Sequence, residues 1–192
     1  MSDQELRQQI QHVLPNFPEE PIDLWLLPYA KKLGWPPGNN ERWANILAGR
    51  PITFWESTIW SKRQTDLATI NHSETYYEKA RGMFNAFVLG QENEYSHGLG
   101  EEGKNKFLNL LKQMLETGVF PEPPILFEDE PDHYDILDGN HRWLAYVMCW
   151  RIWEEVENMT PEERRDRAAG LHASNIIEPV QNQEVWFCEL PH

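Results

Sequence analysis

Apolar residues recur at helical spacing from the start of the chain: Leu6, Ile10, Val13 and Leu14 share one face of "DQELRQQIQHVL", and Pro15 ends the pattern. A second helical stretch covers "PIDLWLLPYAKKLG". It should bend near Pro28, which lacks an N–H donor, and close at Gly34. A third helix follows "PPGNN", with Asn40 as cap, Trp43, Ile46 and Leu47 facing inward and Gly49 as the stop. Residues 1–50 carry no reactive constellation and read as an N-terminal helical appendage.

The texture changes at "RPITFWESTIW", where β-branched and aromatic residues predict a strand over 52–60 and open a second segment, 51–192. "SKRQTDLATI" then reads as a polar loop and short apolar turn. "HSETYYEKARGMFNAFVLG" predicts a helix capped by Ser73 and ended by Gly90, with interior Gly82 working against it. A glycine-rich loop, "QENEYSHGLGEEG", follows. "KNKFLNLLKQMLETG" has the clearest helical stripe, formed by Phe107, Leu108, Leu111, Met114 and Leu115, with Gly118 at the stop.

"PPILFED" and "YDILDG" flank the turn "EPDH" and predict a hairpin. The helix after it, "NHRWLAYVMCWRIWEEVE", should bury Leu144, Val147, Met148, Ile152 and Val156. "TPEERRDRAAG" is a fully punctuated helix: Thr160 and Glu163 form a capping box, Pro161 stands in the first turn and Gly170 closes it. "QEVWFCEL" is the last strand.

At 192 residues, the chain suits one compact unit, and nine Trp, six Tyr and eight Phe supply the apolar area for its interior. Seventeen basic against 31 acidic side chains give a formal charge of -14, which repels nucleic acid at long range, so a DNA contact would have to be local and metal-assisted. Arg164, Arg165 and Arg167 accordingly read as a solvated, helix-stabilising face. No apolar run reaches the roughly 18 residues that span a bilayer, and "MSDQELRQQI" lacks a signal-peptide pattern. A cytoplasmic protein without membrane insertion is expected. Cys149 and Cys188 stand far apart in apolar stretches and read as buried thiols.

The chemistry concentrates in "YDILDGNHRWLAY". A strand ends at Asp138, Gly139 permits a sharp turn, and a helix starts within one or two residues. The first N–H groups of a helix attract an anion; Arg142 can meet phosphate with two parallel hydrogen bonds, and His141 adds a donor. The plainer alternative is that Asn140 caps the helix and Arg142 pairs with Asp135 or Asp138. Hydrolysis or phosphotransfer also needs a carboxylate to orient the nucleophile or hold Mg²⁺. Asp138 is the first candidate, with Asp135 on the same strand and Glu56 as a second. Lys62 and Arg63 read as surface basics. His72, His97, His133 and His141 share no zinc-ligand spacing with the cysteines, and Tyr76, Tyr77 and the tryptophans default to core.

The succession "FLNLLKQMLETGVFPEPPILFEDEPDHYDILDGNHRWLAY" resembles the central segment of the ParB/sulfiredoxin superfamily, in which a helix, a strand entry of the "Gv..Pi.v" kind and a strand ending in "DGxHR" or "GxRR" recur. The resemblance is densest over residues 104–150, extends from the strand expected at 52–60 to the last strand, so that 51–192 is the expected ParB/sulfiredoxin-like nucleotide-binding core, and excludes the first fifty residues. It implies an α+β fold with a small mixed sheet, ATP or another nucleotide as ligand, and Mg²⁺ as its metal. By position it makes Gly139, Asn140, His141 and Arg142 the phosphate-contacting set. With the carboxylate that hydrolysis or phosphotransfer needs added from the adjacent strand end, Asp138, His141 and Arg142 are the expected catalytic set and Asp138 the expected metal ligand.

Sulfiredoxin-like members carry a catalytic cysteine where this chain has Asn140, so reduction of oxidised peroxiredoxin is not expected. Partition proteins add a helix-turn-helix DNA reader after the nucleotide module; the sequence runs only two residues past "QEVWFCEL", and centromere binding is not expected. The resemblance then points to the small plasmid fertility-inhibition proteins of the Osa type. Those imply ATP hydrolysis, DNA cleavage, and inhibition of conjugative transfer through a type IV secretion system. A free-serine-like small-molecule kinase and a non-catalytic inhibitory binding module are the alternatives.

Overall fold

The computed structural model describes the chain except residues 39–40, 68–69, 71–73, 92, 95–99, 131–132 and 192, and describes 74–76 and 129 by their backbone. The expected caps Asn40 and Ser73, together with His72 and His97, lie outside the described residues. The N-terminal helices are α1 (Asp3–Val13), α2 (Glu19–Pro21), α3 (Leu27–Leu33), α4 (Glu41–Ile46) and α5 (Ile52–Trp55), followed by strand β1 (Ile59–Asp66). Then come α6 (Glu74–Phe87), α7 (Gly100–Thr117), β2 (Ile125–Glu130), β3 (His133–Asp138), α8 (Asn140–Val156), α9 (Pro161–Gly170) and β4 (Asn182–Glu189). The class is α+β, with a four-stranded mixed sheet in the order β1-β4-β2-β3. The predicted hairpin is present as the antiparallel β2/β3 pair, and β4 runs parallel to β2 with Ile125 opposite Trp186.

The chain forms two compact units where its length suggested one. The first comprises residues 1–64, 124–138 and 184–192; the second comprises 65–123 and 139–183. Within the first unit the N-terminal helices share one core with strand residues: Ile10, Phe17, Trp25 and Trp55 are buried in the same cluster as Ile125, Phe127 and Cys188. Burying three such aromatic side chains contributes on the order of 1.5–3 kcal/mol each, which is why these helices belong to the unit's interior.

The strand expected over 52–60 is a correction. Ile52–Trp55 is a short helix entered from extended Pro51, and the strand begins only at Ile59. Packing overrides β-propensity here. The Trp55 ring is fully buried edge-on to Trp25 at 5.3 Å and lies 5.4 Å from Phe127. Asn16 holds the exit by donating from Nδ2 to the carbonyls of Trp55 at 2.9 Å and Thr58 at 2.7 Å. The irregularity in this stretch is a π-helical segment over Ile22–Leu26, in which Leu27 N–H reaches back to the Ile22 carbonyl, and Pro28 stands in the first turn of α3, where its missing N–H leaves no helical bond unmade.

In the second unit α8 is apolar nearly all round, and every residue from Arg142 to Cys149 is buried, the pattern of a helix enclosed by others. Helices α6 and α7 both pack on it. Helix α9 carries the predicted capping box between Thr160 and Glu163. Its arginines are engaged locally: Arg164 donates to the carbonyls of Glu157 and Met159, and Arg167 pairs with Glu155.

Gly118 ends α7 at φ +70°, and a Cβ there would stand 2.7 Å from the Glu178 carbonyl oxygen. Gln183, itself buried, accepts from Phe120 N–H at 2.6 Å and donates to the Val180 carbonyl at 2.8 Å, fixing the same turn. We expect Gly118→Ala to cost about 1–3 kcal/mol, read as a lowered urea midpoint. Gly170→Ala, in α9 with open space around it, should be neutral or slightly stabilising. Equal effects of the two substitutions would contradict this packing.

Candidate functional site

Strand β3 ends at Asp138, which lies opposite Ile125 in the hairpin register. Its charge reaches Tyr29 of α3: burial, and then Asp138, push that hydroxyl's pKa up. Gly139 follows in a left-handed conformation, φ 97° and ψ 15°, and occupies the N-cap position of α8. The plainer sequence reading gave that cap to Asn140. Because glycine holds it, no side chain caps α8. The Gly139 carbonyl accepts the first helical bond, from Trp143 N–H at 2.8 Å. The preceding N–H groups point along the axis at the positive end of a 17-residue helix.

His141 is half-buried in the first turn of α8. Its pKa is pushed below the ordinary value by burial, then by the positive charges of Lys106 and Lys79. These lysines come from α7 and α6, both of which pack on α8. Sequence reasoning missed both lysines. Neither is near the motif in the chain, and only the packing of α6 and α7 on α8 brings their charge to it.

Arg142 is placed differently from a free phosphate clamp. Its side chain is 7% exposed and its guanidinium meets Glu122, donating to the carboxylate Oε2 and to the backbone carbonyl, both at 3.2 Å. Glu122 is 60% exposed. The arginine is thus anchored to the segment that enters β2, a partner twenty residues away that the sequence alternative did not name.

The other candidates lie apart from this turn in character. Glu56 is exposed at the end of α5, where the predicted strand would have placed it differently. Lys62 is ion-paired to Glu20 at 3.0 Å and Glu184 at 3.1 Å, and Arg63 to Glu189 at 3.1 Å, with its guanidinium 5.1 Å over the Phe187 ring. Asp135 is exposed on β3 opposite Phe127. Among the described residues no three His, Cys, Asp or Glu side chains gather as a metal cage. A phosphate-bound Mg²⁺ takes only one or two protein carboxylates and needs no cage of that kind. Cys149 and Cys188 are both free and buried, and burial pushes the Cys188 thiol up to about 12 and Cys149 further. Neither is a nucleophile at neutral pH. Among the described residues no helix is long and apolar enough to cross a membrane.

The lowered His141 pKa has a definite sign in stability. Between its folded value and about 6.5, the unfolded chain binds the proton more tightly. The contribution of His141 is therefore flat above about pH 6.5 and turns destabilising as pH falls below it. In a proton NMR titration His141 should titrate below the ordinary histidine range, and Lys106→Met should move it upward. An unmoved value would remove Lys106 from the locality. Set against protein-family models, curated proteins and solved structures, the chain matches none of them.

Proposed function

We propose that the chain binds the phosphates of a nucleotide, ATP in the first instance, at the start of α8. The observation that carries this reading is the glycine-opened, uncapped helix start with His141 beside it and the charges of Lys79 and Lys106 acting on that histidine. A helix N-terminus offers aligned N–H groups and a partial positive charge. The lysines add the full charges that a triphosphate requires. In this reading Gly139 lets the backbone turn, the Asn140 and His141 N–H groups face the anion, and Arg142, held by Glu122, positions the turn. Asp138, next to it in the chain, is the carboxylate assigned to Mg²⁺ or to the attacking water.

The motif "DGNHR" extends the proposal to ATP hydrolysis, with DNA cleavage as a further activity and inhibition of conjugative transfer through a type IV secretion system as the biological role. That role rests on the resemblance to the ParB/sulfiredoxin superfamily. A second reading, phosphate transfer to a small alcohol such as free serine, is favoured by the net charge of -14, which admits a small polar substrate more readily than a polyanion.

Isothermal titration with ATP, with and without Mg²⁺, tests the shared element of both. Saturable binding is expected, and the Lys79→Ala/Lys106→Ala double variant should weaken it at least tenfold. A bound anion raises the His141 pKa again, so binding should take up protons and be tighter at pH 6 than at pH 8. Absence of saturable heat, or full binding by the double variant, would overturn the proposal. ADP release without serine, against phosphoserine formation with it, separates the hydrolase from the kinase.

A further inference from the structure

A cavity of about 440 Å³ opens in the second unit, on another side of α8 from His141. Trp150 lies nine residues beyond His141, about 13 Å along the axis and half a turn round, so the cavity is not part of the phosphate locality. Its wall is formed by Leu67, Val147 and three aromatic side chains, Tyr77, Tyr146 and Trp150. Its volume falls within the roughly 300–1,000 Å³ typical of small-molecule sites.

The wall is arranged rather than loose. The Tyr146 hydroxyl donates to the Val180 carbonyl at 3.2 Å, and burial pushes its pKa up to about 12, so the ring stays neutral and fixed. The Trp150 ring stands edge-on to it at 84° with centroids 6.3 Å apart. Tyr77 and Trp150 are half-buried, leaving aromatic surface accessible from the cavity. Such surface favours a flat ring, stacked or edge-on.

The mouth supplies the second constraint. Arg151 and Glu154 line the same cavity one helical turn apart and pair with each other at 2.9 Å, while both remain about half exposed. An exposed pair of this kind is held only weakly against water, so each charge can exchange its partner for a ligand. A ligand that matches has a flat apolar body with a carboxylate and an ammonium together at one end. We infer that this cavity binds a free aromatic amino acid, its ring against Tyr77, Tyr146 and Trp150, its carboxylate on Arg151 and its ammonium on Glu154.

Isothermal titration of the whole chain with L-tryptophan, L-tyrosine and L-phenylalanine tests the assignment. Saturable binding of at least one is expected, weakened tenfold or more in Arg151→Gln, an exposed substitution that should leave the fold and ATP binding unchanged. Tryptamine, lacking the carboxylate, and indole-3-propionate, lacking the ammonium, should each bind at least tenfold more weakly than tryptophan. No saturable heat with any of the three amino acids would overturn the inference. So would indole binding as tightly as tryptophan, unaltered affinity in Arg151→Gln, or a preference for adenosine, which would make the cavity a nucleobase site.

Discussion

The positive φ at Gly139 fixes how β3 passes into α8, and the proposed site depends on that turn. At that angle an L-residue with a side chain is strained by about 1–2 kcal/mol, and glycine is the residue that takes it without cost. The same choice removes any side chain that could cap α8, because the cap position is the glycine itself. A turn that needs glycine and a helix start that attracts an anion are therefore one feature. Burial then holds it in place. From Arg142 to Cys149 α8 is enclosed on all sides, and Arg142 is tied to Glu122, so the first turn is fixed rather than free to fray.

Where the determining signals are local, the sequence was sufficient. The α7 stripe ending at Gly118, the β2/β3 hairpin, and the Thr160–Glu163 capping box each depend on residues a few positions apart, and each is present. The failures are non-local. Residues 52–60 have the composition of a strand, yet Trp55 is required in the aromatic core beside Trp25 and Phe127, and a short helix delivers it. The placement of β4 between β1 and β2, and the division into two compact units, arise from pairings between distant stretches of chain. No periodicity within either stretch encodes them.

The candidate site shows the same split. Gly139, Asn140 and His141 were legible because a strand end, a glycine and a helix start are adjacent in the chain. Arg142 was legible as a residue of interest, but its engagement with Glu122 was not. Lys79 and Lys106 were invisible, since their relevance depends on how α6 and α7 pack against α8. Their presence also changes the electrostatic picture. A chain of formal charge -14 repels anions on average, and cations whose charge reaches His141 offset that repulsion over a short range only. In the proposed reading, that combination favours a compact anion such as a triphosphate over an extended polyanion.

The central claim is that phosphate sits on the backbone N–H groups at the start of α8. The most direct test is an amide nitrogen–proton NMR spectrum of the labelled chain recorded during titration with ATP. The account predicts that the Gly139, Asn140, His141 and Arg142 amide signals shift first and saturate together. Saturable shifts elsewhere, with these four unmoved, would contradict it.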